Sequence, residues 1–111
     1  MNNSQPTIML VDDERRVLSS LTRCLVRLGV NLVDYSCPQQ ALEFAAENRP
    51  DLVISDQRMP RMQGSQMLSE IKTIWPDIQT IILSGYSDLE SLSDAFNRRV
   101  IDRFISKPWD N

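Results

Sequence analysis

Apolar and polar positions along the chain follow two kinds of pattern. Short runs rich in apolar and β-branched residues, typical of strands buried in a sheet, lie at 7–11, 31–35, 52–54, 80–83 and 103–105. Between these runs, apolar residues recur at every third or fourth position, as they do on one face of a helix. The pattern therefore predicts five strands that alternate with helices.

The predicted helices are bounded by residues that start or stop a helix. Gly29 and Pro76 are expected to end the first and third helices, and Pro38 is expected in the first turn of the second. The fourth helix is predicted from residue 87 or 88 to residue 98. The positions expected to face the core are, in chain order, Val17, Leu18, Leu21, Leu25, Leu28, Ala41, Leu42, Ala45, Met67, Leu68, Ile71, Ile74, Leu89, Leu92, Ala95 and Phe96.

Strands that alternate with helices demand parallel pairing and right-handed crossovers. The economical arrangement is an α/β fold, with a doubly wound five-stranded parallel sheet in the flavodoxin-like order 2-1-3-4-5. A chain of 111 residues has room for one such domain, and we interpret 1–111 as a single unit.

Composition excludes several classes of function. The chain has no histidine, which rules out Ser-His or Cys-His nucleophile pairs and histidine-ligated metals within it. The net charge is −3 and no basic run occurs, so direct nucleic-acid binding is not expected. No apolar stretch approaches the length of a membrane span. Cys24 and Cys37 have no metal-binding spacing and are interpreted as reduced thiols of a cytoplasmic protein.

Polar side chains follow four of the predicted strands, at the edge where ligands bind in open α/β sheets. Asp12 and Asp13 follow the first strand, Asp56 the third, Ser84 the fourth and Lys107 the fifth. Carboxylates brought this close repel one another, which is expected to raise their proton affinities. Mg²⁺, which prefers oxygen ligands, and the Lys107 ammonium would both relieve that repulsion.

Each of these residues also has a simpler interpretation. An acidic pair before a helix favours the helix dipole, a serine after a strand often belongs to a turn, and a lysine before proline is usually solvated. The functional interpretation is favoured because Asp12, Asp56, Ser84 and Lys107 all fall at one edge of the same predicted sheet.

The set of motifs resembles the receiver domain of two-component response regulators over essentially the whole chain. The matching elements are Asp12-Asp13, Asp56 with Met59-Pro60 and Gly64, Ser84, and Lys107-Pro108. Segments 84–88 and 103–110 resemble receivers that are joined to cyclic-dinucleotide phosphodiesterase or transcriptional output domains.

The resemblance implies a phosphorylation-activated module rather than an enzyme with an external substrate. Asp56 would accept a phosphoryl group from a histidine kinase or phosphotransfer protein, with Lys107 contacting the phosphoryl oxygens. Asp12 or Asp13, Asp56 and the Arg58 backbone carbonyl would hold Mg²⁺. The Ser84 hydroxyl would move to the phosphoryl group, and Phe104, the switch aromatic, would turn inward to reshape the face of the fourth helix and fifth strand.

The chain departs from the family at its end, because it stops at Asn111 where the family has a fifth helix. We therefore expect a truncated receiver whose output domain, if any, lies outside this chain. Apolar surface around Phe104, Ile105 and Trp109 would be left uncovered, which predicts a homodimer at that face.

Two alternatives remain open. One is a Mg²⁺-dependent phosphohydrolase with Asp56 as nucleophile, although such enzymes usually carry a second acid where this chain has Arg58. The other is a degenerate receiver that only binds a partner, against which the intact Asp12, Asp56 and Lys107 argue.

Overall fold

The computed structural model describes residues 5–107, apart from the side chain of Tyr86. It contains a five-stranded sheet in the order β2-β1-β3-β4-β5, in which every neighbouring pair is parallel. This confirms the predicted fold class and strand order. The strands are β1 Thr7–Val11, β2 Asn31–Tyr35, β3 Leu52–Asp56, β4 Gln79–Ser84 and β5 Arg103–Ser106.

Helices connect the strands and cover both faces of the sheet. They are α1 Arg15–Leu25, α2 Pro38–Glu47, α3 Gly64–Ile74 and α4 Ser93–Asn97. A 3-10 turn, Val26–Leu28, extends α1 and is closed by Gly29, whose left-handed φ of 69° suits a glycine. Pro38 is the first residue of α2, as its fixed φ favours. Both predicted helix boundaries are confirmed.

The fourth helix is shorter than predicted, because α4 covers only Ser93–Asn97. The segment before it forms two 3-10 turns, Tyr86–Asp88 and Glu90–Leu92. The backbone carbonyl of Asp88 accepts a hydrogen bond from the Ser91 hydroxyl at 2.8 Å. The backbone bonds of this segment also join residues three apart, as from the Leu92 N–H to the Leu89 carbonyl at 3.2 Å, which is the 3-10 pattern and not the α-helical one.

The core has two parts, one on each face of the sheet. Successive residues of β1 point to opposite faces, so that Met9 and Val11 join one cluster and Ile8 and Leu10 the other. α1 packs on the second cluster, and α2 and α3 pack on the first. The two faces together leave the carboxyl edge of the sheet open for a site.

Three of the residues predicted to face the core are exposed. Leu28 is 62% exposed because it lies in the 3-10 turn, where the helical periodicity of α1 no longer applies. Ile74 is 44% exposed at the last position of α3, and Leu89 is 41% exposed between the two 3-10 turns. Leu28 and Leu89 thus lie outside the regular helices, where helical periodicity does not apply, and Ile74 lies at the very end of one.

The face that was predicted to be uncovered is described only in part. Ile105 is 41% exposed on β5, while Phe104 is half-buried and packs against the core. Trp109, together with the rest of 108–111, lies outside the described residues.

Candidate functional site

The parallel register brings the predicted site residues to one edge of the sheet. Asp12 directly follows β1, Asp56 and Ser84 are the last residues of β3 and β4, and Lys107 directly follows β5. Carboxylate oxygens of Asp12, Asp13 and Asp56 lie within 4.8 Å of one another. Asp13, Asp56, Ser84 and Lys107 line a cavity of about 400 Å³.

Lys107 joins two of the carboxylates. Its Nζ lies 3.1 Å from Asp56 Oδ1 and 3.2 Å from Asp12 Oδ2. Its backbone N–H donates to the Ser84 carbonyl at 2.9 Å, which continues the β4–β5 pairing by one residue and fixes where the side chain starts. The ammonium therefore lies between Asp12 and Asp56.

The pKa values of all three groups are raised, by burial for the two aspartates and by the neighbouring carboxylates for Lys107. Burial raises the pKa of Asp12, although a hydrogen bond from the Glu14 N–H opposes the shift, and the Asp56 charge adds to it. Burial also raises the pKa of Asp56, against the attraction of Lys107. For Lys107, burial favours the neutral form, but attraction by Asp12 and then Asp56 outweighs it and raises the pKa. The raised proton affinities were predicted from repulsion, whereas burial is the larger cause.

The raised pKa of Asp12 has a consequence for stability. A carboxyl group whose pKa is higher in the folded state makes folding less favourable above its ordinary pKa, and this cost vanishes below it. Asp12→Asn removes the cost and keeps an oxygen that can accept from Glu14. We expect it to raise the melting temperature at pH 7, without divalent metal, by about 3–5 °C.

Calorimetry between pH 7 and pH 3 measures this effect, and the gain should shrink as the pH approaches 3. Asp34→Asn is the matched control, because Asp34 is exposed and its ion pair with Arg15 spans 3.9 Å. A lower melting temperature for Asp12→Asn at pH 7 would contradict the prediction.

The loop after β3 is held tightly against the start of α3. The side chain of Gln57 donates to Ser65 Oγ at 3.1 Å and accepts from the Ser65 N–H at 2.8 Å. The Gln57 carbonyl accepts from the Gly64 N–H at 3.0 Å. A Cβ on Gly64 would lie 2.1 Å from the Asp56 carbonyl oxygen, so only glycine fits here. Sequence reasoning included Gly64 but missed Gln57 and Ser65, which carry no recognisable local pattern.

A second ionic group borders the cavity. The Ser84 hydroxyl donates a hydrogen bond to Asp88 Oδ2. The guanidinium of Arg58 donates to both carboxylate oxygens of Asp88, through Nε at 3.1 Å and Nη2 at 2.7 Å. Arg58, followed by Ser84, lowers the pKa of Asp88, which is therefore ionised at neutral pH. The sequence had indicated Asp88 only as a possible helix start, and nothing in it indicated that Arg58 pairs with Asp88.

Two of the predicted site residues, Asp12 and Phe104, do not line the cavity: Asp12 is fully buried behind it, and Phe104 lies further back along β5. Phe104 is opposite Ile82 of β4, and its ring is half-buried against the core. Phe104 therefore lies on the strand that Lys107 directly follows, three residues before that site residue.

A parallel sheet of this order, with clustered carboxylates, a lysine and a serine at its carboxyl edge, defines the receiver class of signalling domain. The family model "Response regulator receiver domain" matches residues 8–111, and the chain belongs to this family. It is thus a response-regulator receiver domain of the kind found in two-component systems, which in general are not enzymes. This assignment does not favour the phosphohydrolase alternative.

Curated relatives support the same assignment. The chain is 33% identical to the hydrogenase transcriptional regulatory protein HoxA of Cupriavidus necator, over 98% of this chain and 22% of the relative. It is 32% identical to the DNA-binding transcriptional regulator NtrC of Escherichia coli, over 93% of this chain and 22% of the relative. The chain therefore spans about a fifth of the length of these relatives.

Solved structures share the fold. An uncharacterised protein from Neptuniibacter caesariensis superposes with a TM-score of 0.90 at 44% identity, over 97% of this chain and 81% of that one. The signal receiver domain of an HD domain-containing protein from Pseudomonas fluorescens gives a TM-score of 0.87 at 35% identity, over 99% and 81%. Within the part of the chain that the structure describes, no helix is long and apolar enough to cross a membrane.

Proposed function

We propose that Asp56 is the phosphoacceptor of this receiver domain and takes its phosphoryl group from a phosphohistidine of a sensor kinase or phosphotransfer protein. The observation that carries the proposal is the position of Asp56. Its carboxylate ends the central strand β3, borders an open cavity and lies 3.1 Å from Lys107 Nζ. Asp12 and Asp13 follow the neighbouring strand β1, and their carboxylate oxygens lie within 4.8 Å of those of Asp56.

The chemistry requires positioning and charge neutralisation but no general base. A carboxylate oxygen of Asp56 attacks the phosphorus atom, the phosphorus–nitrogen bond of the phosphohistidine breaks, and its electron pair stays on the donor imidazole. Lys107 offsets negative charge on the phosphoryl oxygens as they approach. Water later attacks the phosphorus atom, the bond between phosphorus and the Asp56 oxygen breaks, and inorganic phosphate leaves, so that the domain dephosphorylates itself and Asp56 is again a free carboxylate.

The donor set at the site fits magnesium. Carboxylate oxygens of Asp12, Asp13 and Asp56 lie within 4.8 Å of one another, and hard divalent cations prefer such ligands. These residues and the backbone carbonyl of Arg58 would hold Mg²⁺. When bound, the ion would neutralise charge on the carboxylates and on the incoming phosphoryl group.

The signal would leave the site through Ser84 and Phe104. Ser84, which is 2% exposed at the end of β4, would turn its hydroxyl from Asp88 towards a phosphoryl group on Asp56. The space that it leaves would allow the Phe104 ring to turn further inward. That movement would reshape the surface of α4 and β5 and so present a new face to partners.

The wider context follows from the family. We infer that residues 1–111 form one receiver domain in the cytoplasm, and that any output domain it controls lies outside these residues. The relatives HoxA and NtrC, both named as transcriptional regulators, support this inference. A homodimer through the exposed part of β5 stays a prediction, which light scattering of the purified chain would test.

The proposal is tested by incubating the wild-type chain with acetyl phosphate and Mg²⁺. Intact-mass spectrometry should show addition of one phosphoryl group per chain, and borohydride trapping followed by peptide mapping should locate it at Asp56. Chelation of the metal should suppress the reaction. Stable incorporation at another residue would refute the assignment.

Lys107 should be important for the rate of this reaction. Lys107→Ala removes the ammonium that lies 3.1 Å from Asp56 and 3.2 Å from Asp12. Loss of one such stabilising group typically slows a reaction about 100-fold, and we expect an effect of that size. Lys72→Ala is the matched control, because Lys72 pairs with Asp102 at 2.9 Å, away from the cavity. Equal phosphorylation rates for the two variants would exclude a role for Lys107.

A further inference from the structure

Asp88 and Asp56 line the same cavity, and both carboxylate oxygens of Asp88 accept hydrogen bonds. Asp88 Oδ2 accepts from the Ser84 hydroxyl, and both oxygens accept from the Arg58 guanidinium at 2.7–3.1 Å. The Asp88 side chain is 11% exposed, so solvent competes little for its bond with the buried Ser84, whereas the Arg58 side chain is 72% exposed and open to water. The Ser84 hydroxyl therefore donates its hydrogen bond to Asp88 and not to Asp56.

The backbone holds Asp88 in this position. Its N–H donates to the Gly85 carbonyl at 3.0 Å, and its own carbonyl accepts from the Ser91 hydroxyl at 2.8 Å. Arg58 donates from Nη2 to Oδ1 and from Nε to Oδ2, and this pair of contacts fixes the plane of the carboxylate as well as its position. Asp88 is thus held from three directions, with one oxygen facing the Ser84 hydroxyl.

A serine hydroxyl has a single proton and can donate it to only one acceptor at a time. A phosphoryl group on Asp56 that recruits Ser84 must therefore take this proton from Asp88. We propose, building on the function proposed above for Asp56, that Asp88 is a positioning residue for Ser84: it holds the Ser84 hydroxyl and competes for it with a phosphoryl group on Asp56. Arg58 orients the carboxylate for this role.

The proposal predicts that Asp88 weakens the binding of a phosphoryl group. A hydrogen bond to an ionised acceptor is roughly twice as strong as a neutral one, and Asn in place of Asp keeps the shape but not the charge. With Mg²⁺ present, we expect Asp88→Asn to bind beryllofluoride, a mimic of the phosphoryl group, about ten-fold more tightly than wild type. Isothermal titration calorimetry measures both affinities.

Two comparisons separate this role from a general effect. Asp94→Asn, the matched control, changes an exposed aspartate paired with Arg98 at 3.6 Å and should leave the affinity unchanged. In a Ser84→Ala background, the gain from Asp88→Asn should fall at least three-fold, because no hydroxyl remains to be released. An equal gain in both backgrounds would reflect charge or loosening alone and would overturn the proposal.

The outcomes distinguish this proposal from the one for Asp56. If wild type and Asp56→Asn bound beryllofluoride equally, the function proposed for Asp56 would fail. If wild type bound it at Asp56 and Asp88→Asn bound it no more tightly, only the role of Asp88 would fail.

If Asp88→Asn does not fold, a measurement on the wild type tests whether the Ser84 hydroxyl leaves Asp88 when beryllofluoride binds. The carboxylate ¹³C resonance of Asp88 should shift when beryllofluoride binds, because the Ser84 bond is lost, while that of Asp94 stays in place. A stationary Asp88 resonance would refute the proposal.

Discussion

Asp56→Asn is expected to take up no phosphoryl group from acetyl phosphate and Mg²⁺, whereas the wild type takes up one per chain. An amide oxygen is a far weaker nucleophile than a carboxylate, and no other described carboxylate shares the geometry of Asp56. Asp13 lies at the same cavity but is exposed, and the fully buried Asp12 is not among the residues that line it. Lys107 also contacts Asp56 at 3.1 Å.

The comparison of wild type with Asp56→Asn requires that the variant folds, and the structure indicates that it will. Burial raises the pKa of Asp56, so the protein already disfavours the charged form, and a neutral amide should be well tolerated. Circular dichroism and thermal melting verify the fold, and Asp34→Asn provides an exposed carboxylate as control. Equal incorporation into wild type and Asp56→Asn, seen by intact-mass spectrometry, would remove Asp56 from the mechanism.

Gly64→Ala is expected to lower the melting temperature by more than about 10 °C, equivalent to a loss of about 3 kcal/mol. The added Cβ would lie 2.1 Å from the backbone oxygen of Asp56 and 2.9 Å from Ser55 Oγ. These atoms belong to the central strand, which cannot move without disturbing β1 and β4 on either side. Helix propensity alone predicts the opposite sign, because alanine is the better helix former.

Gly85→Ala is the control for this measurement. A Cβ at Gly85 would meet nothing closer than Ser87 Oγ at 3.7 Å, an ordinary contact. Its melting temperature should stay within about 3 °C of wild type. Differential scanning calorimetry of both variants tests the steric argument, and a Gly64→Ala protein as stable as Gly85→Ala would contradict it.

The order of the strands and most of the site followed from local patterns. Five apolar runs separated by helical periodicity leave few topologies, and parallel strands align their carboxyl ends. Each of the four site residues either ends a strand or directly follows one, so that their proximity could be predicted without knowledge of side-chain packing: Asp56 and Ser84 end strands, and Asp12 and Lys107 follow them. Gly64 belonged to the motif by its offset from Asp56, but the close approach that demands glycine became visible only in three dimensions.

The contacts between loops could not be predicted from local sequence patterns. Arg58 and Asp88 are 30 residues apart, and their pairing depends on how two loops fold over the cavity. Polar residues in loops have many possible partners, and sequence periodicity carries no information about which one is near. The same holds for Gln57 and Ser65, whose two hydrogen bonds pin the loop after β3.

The sequence alone thus determined the fold class, the edge of the sheet that bears the site and the residues that end each strand there, because strand periodicity and chain order impose them. Only the tertiary structure decided that burial rather than repulsion dominates the raised pKa values of Asp12 and Asp56. It also decided that α4 starts late and that Asp88 holds the Ser84 hydroxyl. Burial and non-local hydrogen bonds are properties of the packed chain, since they depend on which residues become neighbours in space.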